Sequence, residues 1–392
     1  MKLHNLKYLI ASVGLACASG AVHAADKIKI GFMTTLSGSN AVLGADVRDG
    51  FNLAIKHSDN KLGGLSVELS IVDDQQNPES GRQTSERFIR RDKVDLMTGV
   101  VASNVLLPIL PSVLSSDTIY LSSNTGPADY AGAKCHKNFF AVAWQNEDIP
   151  EAMGVYANSK SIKRVAIIAP NYPGGRESLS GFKRGFKGTV VEEIYTKFGQ
   201  VDFASELTTL RVAKPDAVFF FLPGGMGVNF IKQFNGSGMS KDITLLAPGF
   251  SADIDTIKAV GDSMVGLYNT SQWAADLDNE ANKRFVQDFV KTYGRIPTMY
   301  ASQGYDTGRL IDSAVRQIKG NIEDRDAFRT ALRKAEFASV RGNFRFNRNQ
   351  FPIQDIYTRV VVKDDQGALS NKLVGAILTN HQDSFVGECT MK

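Results

Sequence analysis

The residues of this 392-residue chain best equipped for chemistry are short turns rich in hydroxyls and amides that follow apolar runs. Thr34-Thr35-Leu36-Ser37-Gly38-Ser39-Asn40 follows the first run and continues to Leu43 and Gly44. Ala102-Ser103-Asn104 and Ser122-Ser123-Asn124-Thr125-Gly126-Pro127 follow later ones. Serine and threonine in such turns either cap the next helix or share their hydroxyls and the helix's free N–H groups with an anion. Two hydroxyl-rich turns on neighbouring strand ends point to a carboxylate. Pro170-Asn171-Tyr172-Pro173-Gly174-Gly175 offers a tyrosine that can close over a ring or only anchor its own loop. Pro223-Gly224-Gly225 and Pro248-Gly249-Phe250 add a flexible turn and an aromatic side chain. The candidate ligand-binding set is Ser37, Leu43, Ala102, Ser103, Ser123, Asn124, Thr125, Tyr172, Pro223, Gly224 and Phe250.

The sequence offers no catalytic spacing: it has no G-x-S-x-G elbow, no H-E-x-x-H helix and no P-loop. Gly225-Met226-Gly227 begins like a dinucleotide fingerprint, but Phe230 stands where its last glycine belongs. His57, His136 and His381 sit at no metal-ligand spacing. Neither an enzyme, a cofactor nor a metal is expected.

The elements that must position these turns alternate in type. Apolar, β-branched runs at Ile28–Met33, Ser66–Val72 and Val94–Val100 lead into helical patterns at Gly44–Ser58, Glu79–Arg91 and Val105–Ser115. A second series of runs, at Arg164–Ala169, Val190–Tyr195, Ala217–Leu222 and Ile243–Leu246, behaves likewise. Alternation of this kind predicts parallel sheets covered by helices, and the length favours two domains. Helices at Asn279–Tyr293, Ala301–Lys319 and Asp324–Ala335 have few strands of their own and must cover a sheet already built. The expected fold is α/β, with two doubly wound parallel-sheet lobes, 26–141 plus 272–350 and 142–271 plus 351–392. Three crossovers, near Ala141–Asn146, near Asn269–Trp273 and before Tyr357, would form the hinge.

Lys2 and Lys7, an apolar run from Tyr8 to Ala18 and the small residues Val22 and Ala24 have the layout of a secretory signal, 1–24, cleaved near Ala24. A membrane anchor is the alternative, but spanning takes about 20 apolar residues and Ser19-Gly20 interrupts this run. Cys17 as a lipidation site is disfavoured by Gly14 three places earlier. The two remaining cysteines, Cys135 and Cys389, read in an exported chain as one disulfide, or else as two separate thiols. A formal charge of +4, with bases and acids interleaved, argues against a nucleic-acid partner.

Taken in order, these turns resemble the leucine/isoleucine/valine-binding branch of the periplasmic binding proteins that feed ABC importers. The resemblance runs from about Lys27 to the C-terminus. It is carried by Ile30-Gly31 through Leu36-Ser37-Gly38, Asp73-Asp74, the Gly99–Ser103 turn, Ser123 with Thr125 and Pro127, and Tyr172. It implies a type I periplasmic binding fold, in which Ser103, Thr125 and the backbone at Ser123 hold a ligand carboxylate and Tyr172 closes from the second lobe. Amino-acid binders of that branch place a glutamate near the position of Gly249 and Phe250, and this chain has no acid there. A buried ammonium without a carboxylate costs several kcal/mol, so an aromatic carboxylate fits better than an α-amino acid. Trp144-Gln145-Asn146-Glu147, Phe250 and Arg341-Gly342-Asn343-Phe344 resemble relatives that bind benzoates or hydroxycinnamates. The resemblance implies a monomeric periplasmic receptor that delivers its ligand to the membrane subunits of an ABC transporter. A branched-chain or other amino-acid binder, or a periplasmic sensor subunit of the same fold, is the alternative.

Overall fold

The computed structural model describes residues 26–391. The expected signal, its cleavage site near Ala24, and Cys17 lie outside the described residues. Among those described, no helix is long and apolar enough to cross a membrane.

The strands form two sheets. The first contains β1 (Lys27–Thr34), β2 (Lys61–Leu62), β3 (Leu65–Asp73), β4 (Leu96–Thr98), β5 (Ile119–Ser122) and β6 (Phe139–Ala141). Their order is β2-β3-β1-β4-β5-β6, parallel except for the β2–β3 pair. The second contains β7 (Arg164–Pro170), β8 (Thr189–Thr196), β9 (Ala217–Phe220), β10 (Thr244–Pro248), β11 (Tyr268–Ser271), β12 (Phe344–Phe346), β13 (Pro352–Lys363) and β14 (Leu369–His381). Its order is β12-β13-β11-β10-β9-β7-β8, with β14 on β13. In chain order the helices are α1 (Ala41–Lys56), α2 (Pro78–Arg87), α3 (Ser103–Ser115), α4 (Ala128–Ala131), α5 (Asp148–Ser159), α6 (Pro173–Gly185), α7 (Ala204–Ala213), α8 (Gly225–Gly236), α9 (Ile254–Val260), α10 (Glu280–Tyr293), α11 (Met299–Gln317) and α12 (Arg325–Lys334).

Strands apolar at nearly every position bury both faces. On β1, Ile28, Ile30 and Phe32 enter one core with Val47 and Phe51 of α1, while Met33 joins the opposite core with Val105 and Ile109 of α3. On β7, Val165 and Ile167 face one way, and Ala166 and Ile168 pack against Phe230 and Ile231 of α8. The late helix α11 covers the first sheet, as expected, by packing against α1. The approach is so close that a side chain on Gly304 would lie 1.9 Å from the Val47 carbonyl oxygen, which only glycine permits.

The second sheet departs from the parallel expectation, because β13 runs antiparallel to β11, β12 and β14. The expected helix at Glu79–Arg91 is α2 followed by a turn of π-helix at Phe88–Asp92. The first two passages fall near Ala141–Asn146 and Asn269–Trp273, but β12 (Phe344–Phe346) already pairs in the second sheet, ahead of the expected boundary at 350; two buried arginines fasten the passages. Arg341 pairs with Asp306 of α11 (Nε to Oδ2, 2.9 Å), both side chains fully buried, and donates to the Ala143 carbonyl (2.8 Å) and to Gln354 (3.0 Å). Arg359 on β13 donates to Asn269 (2.8 Å) and the Trp273 carbonyl (3.1 Å), with Asp253 at 3.8 Å.

The expected disulfide forms, and it takes the tail out of the second lobe to which 351–392 was assigned. Beyond β14 the tail returns to the first lobe: Phe385 packs against its core, and Cys389 is bonded to Cys135. The two cysteines are 254 residues apart in sequence, and loop entropy alone gives such a bridge about 5 kcal/mol. Cys389→Ser should lower unfolding stability by about 2–5 kcal/mol, seen as a lower guanidinium midpoint that reductant reproduces in the unaltered protein. Coincident midpoints would mean that the bridge adds nothing.

Candidate functional site

Once the β2 strand and the antiparallel additions are set aside, both sheets share one strand order, in which the chain reverses direction beside the first strand. In the first lobe this switch lies between β1 and β4, and in the second between β7 and β9. Ligands of open α/β sheets bind beyond the carboxyl ends of strands at such switch points. Here the two switch points face each other across one cavity, with about 520 Å³ of unfilled space that is partly open to solvent.

Asn40 and Leu43 reach the cavity from the β1 turn, Val101, Ala102 and Ser103 from the β4 turn, and Asn124 and Thr125 from the β5 turn. Tyr172, Phe221, Pro223 and Phe250 reach it from the second lobe, and Tyr300 from the start of α11. The apolar wall is a continuous run of rings. Trp144 meets Phe250 edge-on (centroids 4.8 Å), Phe250 meets Phe221 (5.4 Å), Phe221 lies parallel to Tyr172 (6.4 Å), and Tyr172 meets Phe198 (4.8 Å).

The polar end is held by a small network. Asn146 accepts from the Gly126 N–H (2.8 Å) and donates to Ser103 Oγ (3.3 Å), while Asn124 donates to the Val101 carbonyl (2.6 Å). Thr125 Oγ1 and Asn124 Oδ1 are buried with no hydrogen-bond partner among the described residues. Helices α3 and α6 start at Ala102 and Tyr172, neither of which makes a side-chain capping bond. Both helices therefore direct free N–H groups and a partial positive charge towards the cavity. Among the described residues, none that lines it carries a formal charge.

Eight of the residues singled out from sequence line this cavity: Leu43, Ala102, Ser103, Asn124, Thr125, Tyr172, Pro223 and Phe250. The other three do not. Ser37 is exposed on the outside of its turn. Ser123 is buried beneath the site, its hydroxyl 3.4 Å from that of Thr98. Gly224 borders an adjoining space instead. Arg341 and Phe344, read as part of the ligand-binding resemblance, also lie outside the lining, and Arg341 serves the hinge instead. Gln76, Phe198, Phe221 and Tyr300 line the cavity without having been singled out.

One acid stands directly behind the polar end. Glu177 of α6 accepts from Asn146 Nδ2 and from the Ala128 N–H (3.1 Å), bridging the two lobes. Burial pushes its carboxyl up to about 7. Asp148, Glu151 and His381 bring potential metal-ligating atoms within 4.8 Å of one another. They lie outside the cavity lining and are engaged in ion pairs: His381 Nε2 with Asp148 (3.2 Å) and Arg184 Nε with Glu151 (2.8 Å).

Comparison with known proteins places this geometry among others. A protein from Brucella melitensis described as Leu/Ile/Val-binding protein homolog 6 is 25% identical over 375 residues, 93% of this chain and 95% of the relative. The solute-binding protein of an R. palustris ABC transporter, solved with benzoate, is 30% identical with a TM-score of 0.87, covering 93% of this chain and 99% of that one. Another, from Rhodopseudomonas palustris BisB5 and solved with 3,4-dihydroxybenzoic acid, is 27% identical with a TM-score of 0.84, covering 92% and 99%. The model of the periplasmic binding protein family matches residues 27–367, and with two facing switch points around one cavity this chain belongs to that family.

Proposed function

We propose that this protein is the extracytoplasmic receptor of an ABC importer and captures a small aromatic carboxylate between its lobes. The lobes comprise 26–141 plus 272–343 and 142–271 plus 344–382, with the tail docked on the first. The observation that carries the ligand is the lining: a wall of rings, an end of hydroxyls and uncapped helix N-termini, and no formal charge. Ser103 and Thr125 hydroxyls hold the carboxylate, helped by the N–H groups that open α3. Trp144, Tyr172, Phe221 and Phe250 enclose the ring. An α-ammonium would be buried there without an ionised partner, at a cost of several kcal/mol. The ligands of the two R. palustris relatives, benzoate and 3,4-dihydroxybenzoic acid, are of the same class.

In this mechanism the first lobe captures the carboxylate and the second closes over the ring. The ligand stabilises the closed population by its differential affinity for it. Membrane subunits of the transporter then read the closed form. Glu177 contributes an interlobe contact, and its proton matters. Below about pH 4.5 it is protonated whether folded or unfolded. Between there and about 7 the folded state holds the proton more tightly, so this contribution to stability falls as pH rises.

Ser103→Ala with Thr125→Ala should weaken benzoate binding by a few kcal/mol, since charge-assisted hydrogen bonds contribute about 1.5–3 kcal/mol each. Calorimetry giving unchanged affinity would sink the carboxylate assignment. Glu177→Gln should gain stability relative to the unaltered protein as pH goes from 4.5 to 8, by up to about 3 kcal/mol. A stability difference that stays flat across that range in denaturant titrations would place the carboxyl in its ordinary range.

A further inference from the structure

The first lobe lays out its polar groups in a row. Gln76 follows β3, Asn40 follows β1, Ser103 follows β4 and Thr125 follows β5, and these strands are neighbours in that order. Two strand spacings separate β1 from β5, roughly 10 Å. Asn40 and Gln76 thus form a second polar end of the same cavity, away from the hydroxyls assigned to the carboxylate.

Asn40 stands at the N-cap of α1, where an asparagine ordinarily accepts from its own helix. It makes no such bond. Its Nδ2 donates to Gln76 Oε1 (3.0 Å), and its Oδ1 is buried with no partner among the described residues. Gln76 is held by a rigid turn: Gln75 and Gln76 both have φ of 54°, and their N–H groups donate to Asp73 and Asp74 at 2.8 Å. The second lobe comes down on this pair at Gly224, which has φ of 61°. A side chain there would sit 2.2 Å from Asn40 Oδ1. Lobe contact therefore covers the Asn40 amide.

We propose that Asn40 and Gln76 form a subsite for a ring hydroxyl para to the carboxylate, and so make the receptor selective for hydroxylated ring acids. This rests on the aromatic-carboxylate reading. A phenolic hydroxyl both donates and accepts. It gives its proton to Asn40 Oδ1 and accepts from Gln76 Nε2, a pairing that a bare ring edge or an ether oxygen does not match. A site built to hydrogen-bond a hydroxyl discriminates against an analogue that leaves its buried groups unpaired.

The test is calorimetric titration of the protein with benzoate, 4-hydroxybenzoate, 4-methoxybenzoate and leucine, repeated on Asn40→Leu and on Gln76→Met, with folding checked by circular dichroism. 4-Hydroxybenzoate should bind roughly 10- to 100-fold more tightly than benzoate, and 4-methoxybenzoate should lose that advantage. In each folded variant the ratio of the 4-hydroxybenzoate to the benzoate affinity should fall to within about threefold. Gln76 is only partly buried, so its variant tests the subsite even where Asn40→Leu does not fold. Benzoate binding with no gain from the hydroxyl, or a gain that survives both substitutions, would overturn the subsite while leaving the aromatic-acid reading intact. Binding of leucine with no ring acid bound would overturn both.

Discussion

Two buried guanidinium groups fasten the passages between the two lobes to one another. Arg341 and Arg359 each join segments from different passages between the lobes, by donating to backbone carbonyls and amide side chains as well as facing an aspartate. Burying a cation without partners costs several kcal/mol, so the passages cannot splay without exposing or orphaning a charge. In the proposed mechanism, closure is a rotation of one lobe against the other about these fixed points. The cavity depends on that restriction, because its walls come from both lobes and meet only if the hinge does not slip.

The cavity follows from strand order. Each lobe reverses its winding beside its first strand, and that reversal opens a crevice into which the next helix starts point their N–H groups. Two such crevices facing each other give a site that is positive at one end by backbone geometry alone. Charged side chains are then unnecessary in the lining, and rings can occupy the rest. A site that takes the proposed carboxylate without a resident cation keeps the cost of the empty state low, since no buried charge waits for its partner.

Much of this was legible in the sequence because strand ends announce themselves. An apolar run followed by small polar residues marks both the carboxyl end of a parallel strand and the turn that meets a ligand, so Ser103, Asn124 and Thr125 could be found. The less legible residues reach the site by longer routes. Tyr300 opens a helix that belongs to the first lobe through its packing on α1 and its bond to the turn at Gly63. Phe221 ends an apolar run and looks like one more core residue. Gln76 depends on two left-handed residues held by Asp73 and Asp74, and Glu177 sits in a helix where an acid ordinarily faces water. The strand β14 is less legible for a related reason, since it is exposed along one face and its apolar pattern is diluted. Ser37 shows the converse: a turn can be identified correctly while the residue that lines the cavity, Asn40, lies three places further on.

The bond between Cys135 and Cys389 turns most of the chain into a covalent ring. Cys135 precedes the first passage between the lobes and Cys389 follows the last, so the whole second lobe lies inside that ring. A single peptide-bond cut in any of its surface loops opens the ring but liberates no fragment. The nicked molecule gains one water and stays covalently joined until the disulfide is reduced. Proteolytic damage and loss of the receptor are thereby separated into two chemical events, one hydrolytic and one reductive.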